Sequence, residues 1–456
     1  MDGVDVEEVR SEIDALSRKL AEERFRHVAG IEAEPALAAA FRAHGRAAHK
    51  DTVAALRGQG EAELARAVAA LRAERAAAGE EEAWRAAESA ASGECPGGRL
   101  PLGAAALRAS AEADRARRLA FERGAAEAAR SAAPRREAAA EARARARAEM
   151  GLVPPWEAVV EGDELLNASE DAYREALSWL ASRQALPAPP SGELGRADLR
   201  HLLGLRAYDG LFRPQLLAAE LRRAFLGLGL DPEPVRVDAE ERPAKWPGAH
   251  AFEGRVSFRR QGGVADWLGL FAAVGAAVAA RASPPSRRAR HFPAALGALA
   301  SSLLLAPRFL ERALGVERRH LPDVVRGVAL RRLFELRVRA AALRVAAESE
   351  RGLTGAAWRR AHREALGAAA LATWPDGLAA RDSDADLLFT SLAGAAWGEK
   401  LRRELVERYD EDFFLNPRTP GALSGLLAAG SPGPETEKPP IALASRALAK
   451  AIEGGS

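Results

Sequence analysis

Apolar residues recur at three- and four-residue spacing along most of the chain, as in Leu16, Leu20 and Phe25 and then Leu37 and Phe41. This is the period of a helix with one buried face. Over the first 150 residues glycine and proline interrupt it only sparsely, at Gly58-Gln59-Gly60 and Cys95-Pro96-Gly97-Gly98, which predicts long helices joined as helical hairpins. Pro154-Pro155 opens the next block. Asn167-Ala168-Ser169-Glu170, ahead of Tyr173, Leu177 and Leu180, has the form of a capped helix start. Pro187-Ala188-Pro189-Pro190-Ser191-Gly192 reads as a turn or short linker, and helix resumes from Arg196 to Leu230 with a break near Asp209-Gly210 and Pro214.

The rhythm changes between Pro232 and Arg260. Val235-Arg236-Val237-Asp238 and Phe252-Glu253-Gly254-Arg255-Val256-Ser257-Phe258 alternate like short strands around a proline-rich loop, so a small sheet is expected over 234–260. From Val264 the pattern is helical again: an apolar pair broken by Ser283-Pro284-Pro285-Ser286, then a long amphipathic run from Leu321 to Glu350. Gly430 to Pro440 reads as a linker to a last helix, Ile441 to Ile452. The expected fold is mainly α, with an N-terminal helical lobe over 1–230, a second lobe over 231–430, and the linker and last helix over 431–456.

Composition sharpens this picture. Of the 456 residues 48% are hydrophobic and 29% charged, with Ala, Arg, Leu and Glu dominant, all strong helix formers. A net charge of only +2 argues against a basic surface built for nucleic acid. Cys95 is the single cysteine, so the chain can form neither an internal disulfide nor a cysteine-based metal cluster. The acidic start, Met1-Asp2-Gly3-Val4-Asp5-Val6-Glu7-Glu8, lacks the basic residues and apolar run of a secretory signal, and cytoplasmic residence is the expectation. The apolar window Trp267 to Ala280 spans 14 residues before Arg281, short of the roughly 20 that cross a bilayer. It reads as a buried core helix, with no membrane partner expected. Arg135 to Met150, nearly all Ala, Arg and Glu, is either a solvated helix with many charge pairs or a binding face.

One resemblance is carried by residues in a fixed order. Val235-Arg236-Val237-Asp238 leads into Arg242-Pro243-Ala244-Lys245, then Ala249-His250-Ala251-Phe252, Gln261-Gly262-Gly263 and Asp266-Trp267. This resembles the approach to the active site in zinc oligopeptidases of the M3 (thimet oligopeptidase-like) family of the thermolysin-like superfamily. There a strand, an Arg-Pro-x-Lys turn and a Gly-Gly turn precede the helix bearing the His-Glu-x-x-His motif. The segment from Lys400 to Phe414 with Trp397, and Asn416-Pro417-Arg418 with Gly421, resembles the closing helix and following element of those enzymes. The resemblance implies a two-lobed helical metallopeptidase-like fold with a central cleft.

It also places the motif on Ala272-Ala273-Val274-Gly275-Ala276, so that Ala272, Ala273 and Ala276 stand where two histidines and a glutamate would be. The third ligand aligns to Ala294 or Ala295, and the tyrosine donors of the closing helix to Phe389 and Ala393. A zincin needs two imidazoles at i and i+4 on one helix face, a glutamate as general base and a further ligand. Alanine supplies no lone pair. Between Asp266 and Glu311 there is no acidic residue and His291 is the sole histidine, while His27, His44, His49, His201, His250, His320 and His362 form no His-x3-His pair. No catalytic, cofactor-binding or metal-ligating residue is therefore assigned, and no cofactor is expected.

The apolar helix is expected to pack tightly on Phe292 to Leu305 and to fill or narrow the pocket that a metal would occupy. Other candidates are weak. Ser301-Ser302 lacks a nearby His-acid arrangement, Arg287-Arg288-x-Arg290 is an anion-holding or solvated loop, and Asp382, Asp384 and Asp386 suit a helix N-terminus. The leading expectation is a catalytically inactive M3-like homologue that binds a peptide or a protein, an active homologue being one candidate partner. The alternatives are an active metallopeptidase with unrecognised ligands and a helical scaffold unrelated to peptidases.

Overall fold

The computed structural model describes residues 4–152, 156–187, 194–379, 384–433 and 438–454. Pro154-Pro155, Ala188 to Gly192 and Asp382 of the readings above lie outside them. The fold is mainly helical with two small sheets. Helix α1 (Val6–Val28) starts where the Asp5 carboxylate accepts from the Glu7 and Glu8 backbone N–H groups, which satisfies orphan donors of the first turn. Its buried face, Val9, Ile13, Leu16 and Leu20, follows the helical period. Helix α2 (Ala62–Ala90) supplies Leu64, Val68 and Leu71 to the same small core.

The expected helical hairpin at Cys95 is instead a two-stranded antiparallel ribbon, β1 (Ser92–Cys95) and β2 (Gly98–Pro101). Gly97 and Gly98 adopt φ of 93° and 120°, open to glycine, so the turn is tighter than a helix connection. Helix α3 (Ala133–Glu149) departs from the solvated reading: Arg136 and Arg147 are buried, and the helix packs along α2. Ser169 precedes a helix as expected but does not cap it. Its hydroxyl donates to Leu165 O at 2.7 Å and accepts from Arg337 Nη1 at 2.8 Å.

The small sheet comprises β3 (Arg236–Asp238), β4 (Gly248–Phe252) and β5 (Arg255–Arg259), in the order β3-β5-β4. β3 is parallel to β5, and β4 antiparallel with Ala249 opposite Phe258 and Ala251 opposite Val256. Most of β4 falls where the sequence pattern reads as loop. Lys245 is fully buried and its Nζ donates to Asp238 O at 2.7 Å and Glu240 O at 2.9 Å. Arg242 Nη1 bridges the Asp238 carboxylate at 2.7 Å and Ala29 O at 3.0 Å. The Arg-Pro-x-Lys turn thus ties the end of α1 to the sheet, and a Cβ on Gly30 would come within 2.6 Å of Lys245 N.

Helix α4 (Gly263–Ala282) begins at Gly262 and Gly263, with φ of 90° and 58°, and the Asp266 carboxylate accepts from Gln261 N at 2.7 Å. Trp267 and Phe271 are fully buried and stacked on each other. Phe212 lies edge-on to Trp267, and Phe225 and Phe309 edge-on to Phe271. Each such side chain contributes roughly 1.5–3 kcal/mol by burial, and Phe271→Ala should cost about 3–5 kcal/mol. α4 is long and apolar enough to cross a membrane, but 78% of its apolar window is buried inside the protein.

Helix α5 (Phe292–Ser301) lies against α4 at nearly backbone contact: a Cβ on Gly297 would meet Ala272 O at 2.5 Å, and one on Gly275 would meet Leu296 O at 2.9 Å. Helix α6 (Leu321–Ser349) and helix α7 (Ala385–Tyr409) complete this region, with α8 (Ile441–Ile452) packed on both. Gly394 and Gly398 of α7 let it approach Ala294 and Ala298 of α5. Asp384 caps α7, accepting from Asp386 N and Leu387 N. The main core runs from Ala140 to Ile452 and draws on both sides of residue 230, through Leu177 and Phe225 as well as Trp267 and Leu330, whereas the smaller core spans Val9 to Ala78.

Candidate functional site

A cavity of about 1200 Å³ separates the two cores. One wall is charged and comes from α1, α2 and α3, through Arg24, Glu74, Glu81, Arg85 and Arg143. The other begins with β4, whose second edge carries no strand among the described residues, and continues through α4, α5, α6 and α7. Ala272, Ala273 and Ala276 of α4 and Ala294 of α5 all line this wall. Ala295, the alternative position, is fully buried, so Ala294 is the one of the pair on the cavity.

The tight α4–α5 contact occurs as anticipated from the small residues, but the filled pocket does not. Gly275 and Gly297 set the helix spacing by backbone contact, so the alanine methyl groups on the open side reach nothing that could close the space. Phe389 and Ala393 are not among the cavity-lining residues: Phe389 is half-buried against the main core and Ala393 is fully buried. On α7 the residues that do line it include Asp386, Thr390, Ser391 and Glu399. Ser301 and Ser302 return their hydroxyls to Ala298 O and Leu299 O, at 3.2 Å and 2.6 Å.

The only acid on α4 and α5 is Asp266, which does not line the cavity, and the acids that do line it come from other elements. Glu81 sits among Arg85 at 2.9 Å, Arg143 at 3.3 Å and Arg24 at 3.5 Å. Burial alone would raise the Glu81 carboxyl, but Arg24, Arg85 and Arg143 hold it down to about 2. Arg143 also reaches Asp384 at 3.3 Å, Arg290 reaches Asp386 at 3.4 Å, and Arg147 pairs with Glu350 at 2.9 Å and with Asp386. Ion pairs thus run from α2 through α3 to the start of α7. The Arg290 of the expected loop is in the cavity wall, paired and not merely solvated.

His250 lines the cavity from β4, with Nε2 3.1 Å from Pro247 O. His291 stacks on Trp397 with centroids 6.2 Å apart, and burial lowers its pKa. Among the described residues no group of three or more His, Cys, Asp or Glu is placed to hold a metal ion. The methyl groups of Ala272, Ala273, Ala276 and Ala294 offer no lone pair to a metal. The ion-pair wall is invisible to residue spacing because its partners lie far apart in sequence, 239 residues for Arg147 and Asp386. The one available signal is the excess of arginine in Arg135 to Met150.

No protein-family model matches the chain, and no curated protein sequence does either. Solved structures do share its fold. One named as a putative oligoendopeptidase F superposes with a TM-score of 0.58 at 10% identity, covering 95% of this chain and 85% of the other. A second of that name, from Bacillus anthracis str. Ames, gives 0.53 at 10% identity with 98% and 85% covered. PZ peptidase A with an inhibitor gives 0.53 at 13% identity with 95% and 86% covered. At these identities the likeness is one of fold.

Proposed function

We propose that this chain binds an extended polypeptide segment in its cleft, by strand addition to the outer edge of β4, and that it does so without zinc-dependent cleavage. The observation that carries the reading is the juxtaposition of a strand edge, beside which no further strand lies among the described residues, with an open cavity whose facing helix presents Ala272, Ala273 and Ala276. A strand edge offers a row of backbone donors and acceptors that a peptide satisfies regardless of its sequence, and a cavity of about 1200 Å³ has room for several side chains. The fold is that of proteins named as peptidases, which supports a polypeptide as the occupant and favours this reading over an unrelated helical scaffold. The alanines support loss of the chemistry: they can neither ligate a metal nor shuttle a proton. On this reading the two sides of the binding cleft are α1, α2 and α3 on one hand and β4 with α4 to α7 on the other, so the division falls earlier in the chain than the boundary expected at residue 230. The bound partner is a peptide or a protein segment.

The test is to measure metal content, peptide binding and peptide turnover on the same purified protein. A fluorescein-labelled pool of random decapeptides should bind saturably and be recovered intact, with zinc well below one per chain and no effect of chelator on binding. Stoichiometric zinc with chelator-sensitive cleavage would overturn the reading. A variant carrying Ala272→His, Ala273→Glu, Ala276→His and Ala294→Glu should gain zinc affinity, since those positions face the cavity from adjoining helices.

A further inference from the structure

Helix α6 turns one stripe toward the cavity, comprising Arg331, Arg332, Glu335, Leu336 and Arg339. The spacing is that of a single helix face, about 12 Å long at 1.5 Å per residue. Its charges do not balance. Glu335 is the stripe's sole carboxylate and is shared by Arg331 Nε and Arg339 Nη2, each at 3.6 Å, beyond hydrogen-bonding distance. Arg331 Nη1 donates to Leu203 O at 3.2 Å.

Arg332 has no ion-pair partner among the described residues. Its Nη2 donates to Ala298 O at 3.2 Å, and its Nη1 is enclosed without any partner. The neighbouring buried carboxylate, Glu399 of α7, gives Oε1 to Arg402 Nε and Nη2 at 2.9 Å and 2.6 Å, while its Oε2 is likewise unpartnered. Four guanidinium groups therefore meet two carboxylates around this end of the cavity.

A guanidinium cannot shed its proton to escape burial, and a charged donor left without an acceptor is costly. Such an arrangement persists where something else supplies the acceptor. A carboxylate does so with matched geometry, through two parallel N–H···O bonds. We propose that the α6 stripe, anchored on Arg332, binds a carboxylate of the polypeptide segment in the cleft, either its C-terminus or an acidic side chain. Glu335 and Glu399 flank the position and disfavour a dianion such as phosphate. This inference rests on the cleft-binding reading and adds the charge of the ligand to it.

Fluorescence anisotropy with three N-terminally labelled decapeptide pools tests it: one acid-free with a free C-terminus, one acid-free and amidated, and one amidated with internal glutamate. Either the first or the third pool should bind wild-type protein about tenfold or more tightly than the second, and which one does so identifies the source of the carboxylate. Arg332→Gln should abolish that preference, bringing the three pools to a common affinity. Arg332→Lys should restore part of it. Arg339→Gln, at a more exposed position, should weaken the preference and flatten its dependence on salt. Arg332 is half-buried and has no ion pair to lose among the described residues, so Arg332→Gln should not lower the melting temperature and remains testable. Equal binding of all three pools, or a preference that survives Arg332→Gln, would overturn the proposal and leave the cleft reading standing. Failure of every pool to bind would overturn both.

Discussion

Single residues set the acid limit of this protein. His27 and His362 are buried and their pKa values lie at about 4, from burial in both cases and additionally from Arg85 beside His27. His362 is fully enclosed, with neither ring nitrogen hydrogen-bonded. In the unfolded chain a histidine titrates near 6.5, so it takes up its proton there before it can in the fold. Stability is therefore lost as pH falls from about 6.5 to about 4. Glu81 acts below that: its folded pKa of about 2 lies under the unfolded value, and the stability it contributes is lost as pH falls from about 4.3 toward 2. Replacing His362→Phe should remove up to about 3 kcal/mol of the loss between pH 6.5 and 4, read from urea unfolding at a series of pH values; an unchanged profile would contradict the assignment. Little of this is legible in the sequence. The alanines at 272, 273, 276 and 294 can be read off the chain, but Phe389 and Ala393 rest on counting along a helix with no motif to fix its rotation, and the cavity lies against neighbouring positions instead.

At the scale of elements, small residues and backbone contacts govern the cleft wall. Gly275, Gly297, Gly394 and Gly398 let α4, α5 and α7 approach until a Cβ would strike a neighbouring helix. Exchanging glycine for alanine inside an exposed helix stabilises it by about 1 kcal/mol. At Gly297, where a Cβ would meet Ala272 O at 2.5 Å, the sign should reverse, and Gly297→Ala should destabilise by about 1–3 kcal/mol through overpacking. Denaturant midpoints for Gly297→Ala beside Gly421→Ala, where a Cβ would meet nothing within 4 Å, make the comparison; equal midpoints would count against the packing account. Helix positions are legible because a 3.6-residue period is local. β4 is not, because Gly248 to Phe252 has little alternation of its own and becomes a strand by pairing with β5.

Across the whole molecule the cleft walls are joined at several places, among them the hydrogen bonds that Ser286 donates to the Asp14 carboxylate of α1 at 2.8 Å and 3.0 Å. On one side the turn at Arg242 and Lys245 holds the end of α1 to the sheet; on the other, Arg143 and Arg147 of α3 pair with Asp384 and Asp386 at the start of α7. The first is packed and hydrogen-bonded, the second built from ion pairs beside the cavity, in which the Asp384 and Asp386 side chains stay 25% and 22% exposed. The second connection is the weaker in high salt, since the screening length falls to about 3 Å at 1 M. Arg143→Gln combined with Asp386→Asn should open the cleft from that side and raise the radius of gyration in small-angle scattering, with roughly 1 M sodium chloride moving the wild type in the same direction. Identical scattering curves for both would rule out an ionic clasp.

Local pattern is enough to establish a helical protein with one short sheet and a long apolar, alanine-rich helix led by Gly262-Gly263 and Trp267. These are consequences of periodicity and side-chain chemistry, which each segment carries alone. Tertiary structure decided that the alanine face borders an open cavity, that β4 runs along it with no further strand beside it among the described residues, and that Arg332 lines it without an ion pair among those residues. Those outcomes depend on how closely helix backbones meet and on which charges distant segments bring together, and neither is encoded in any one stretch of the chain.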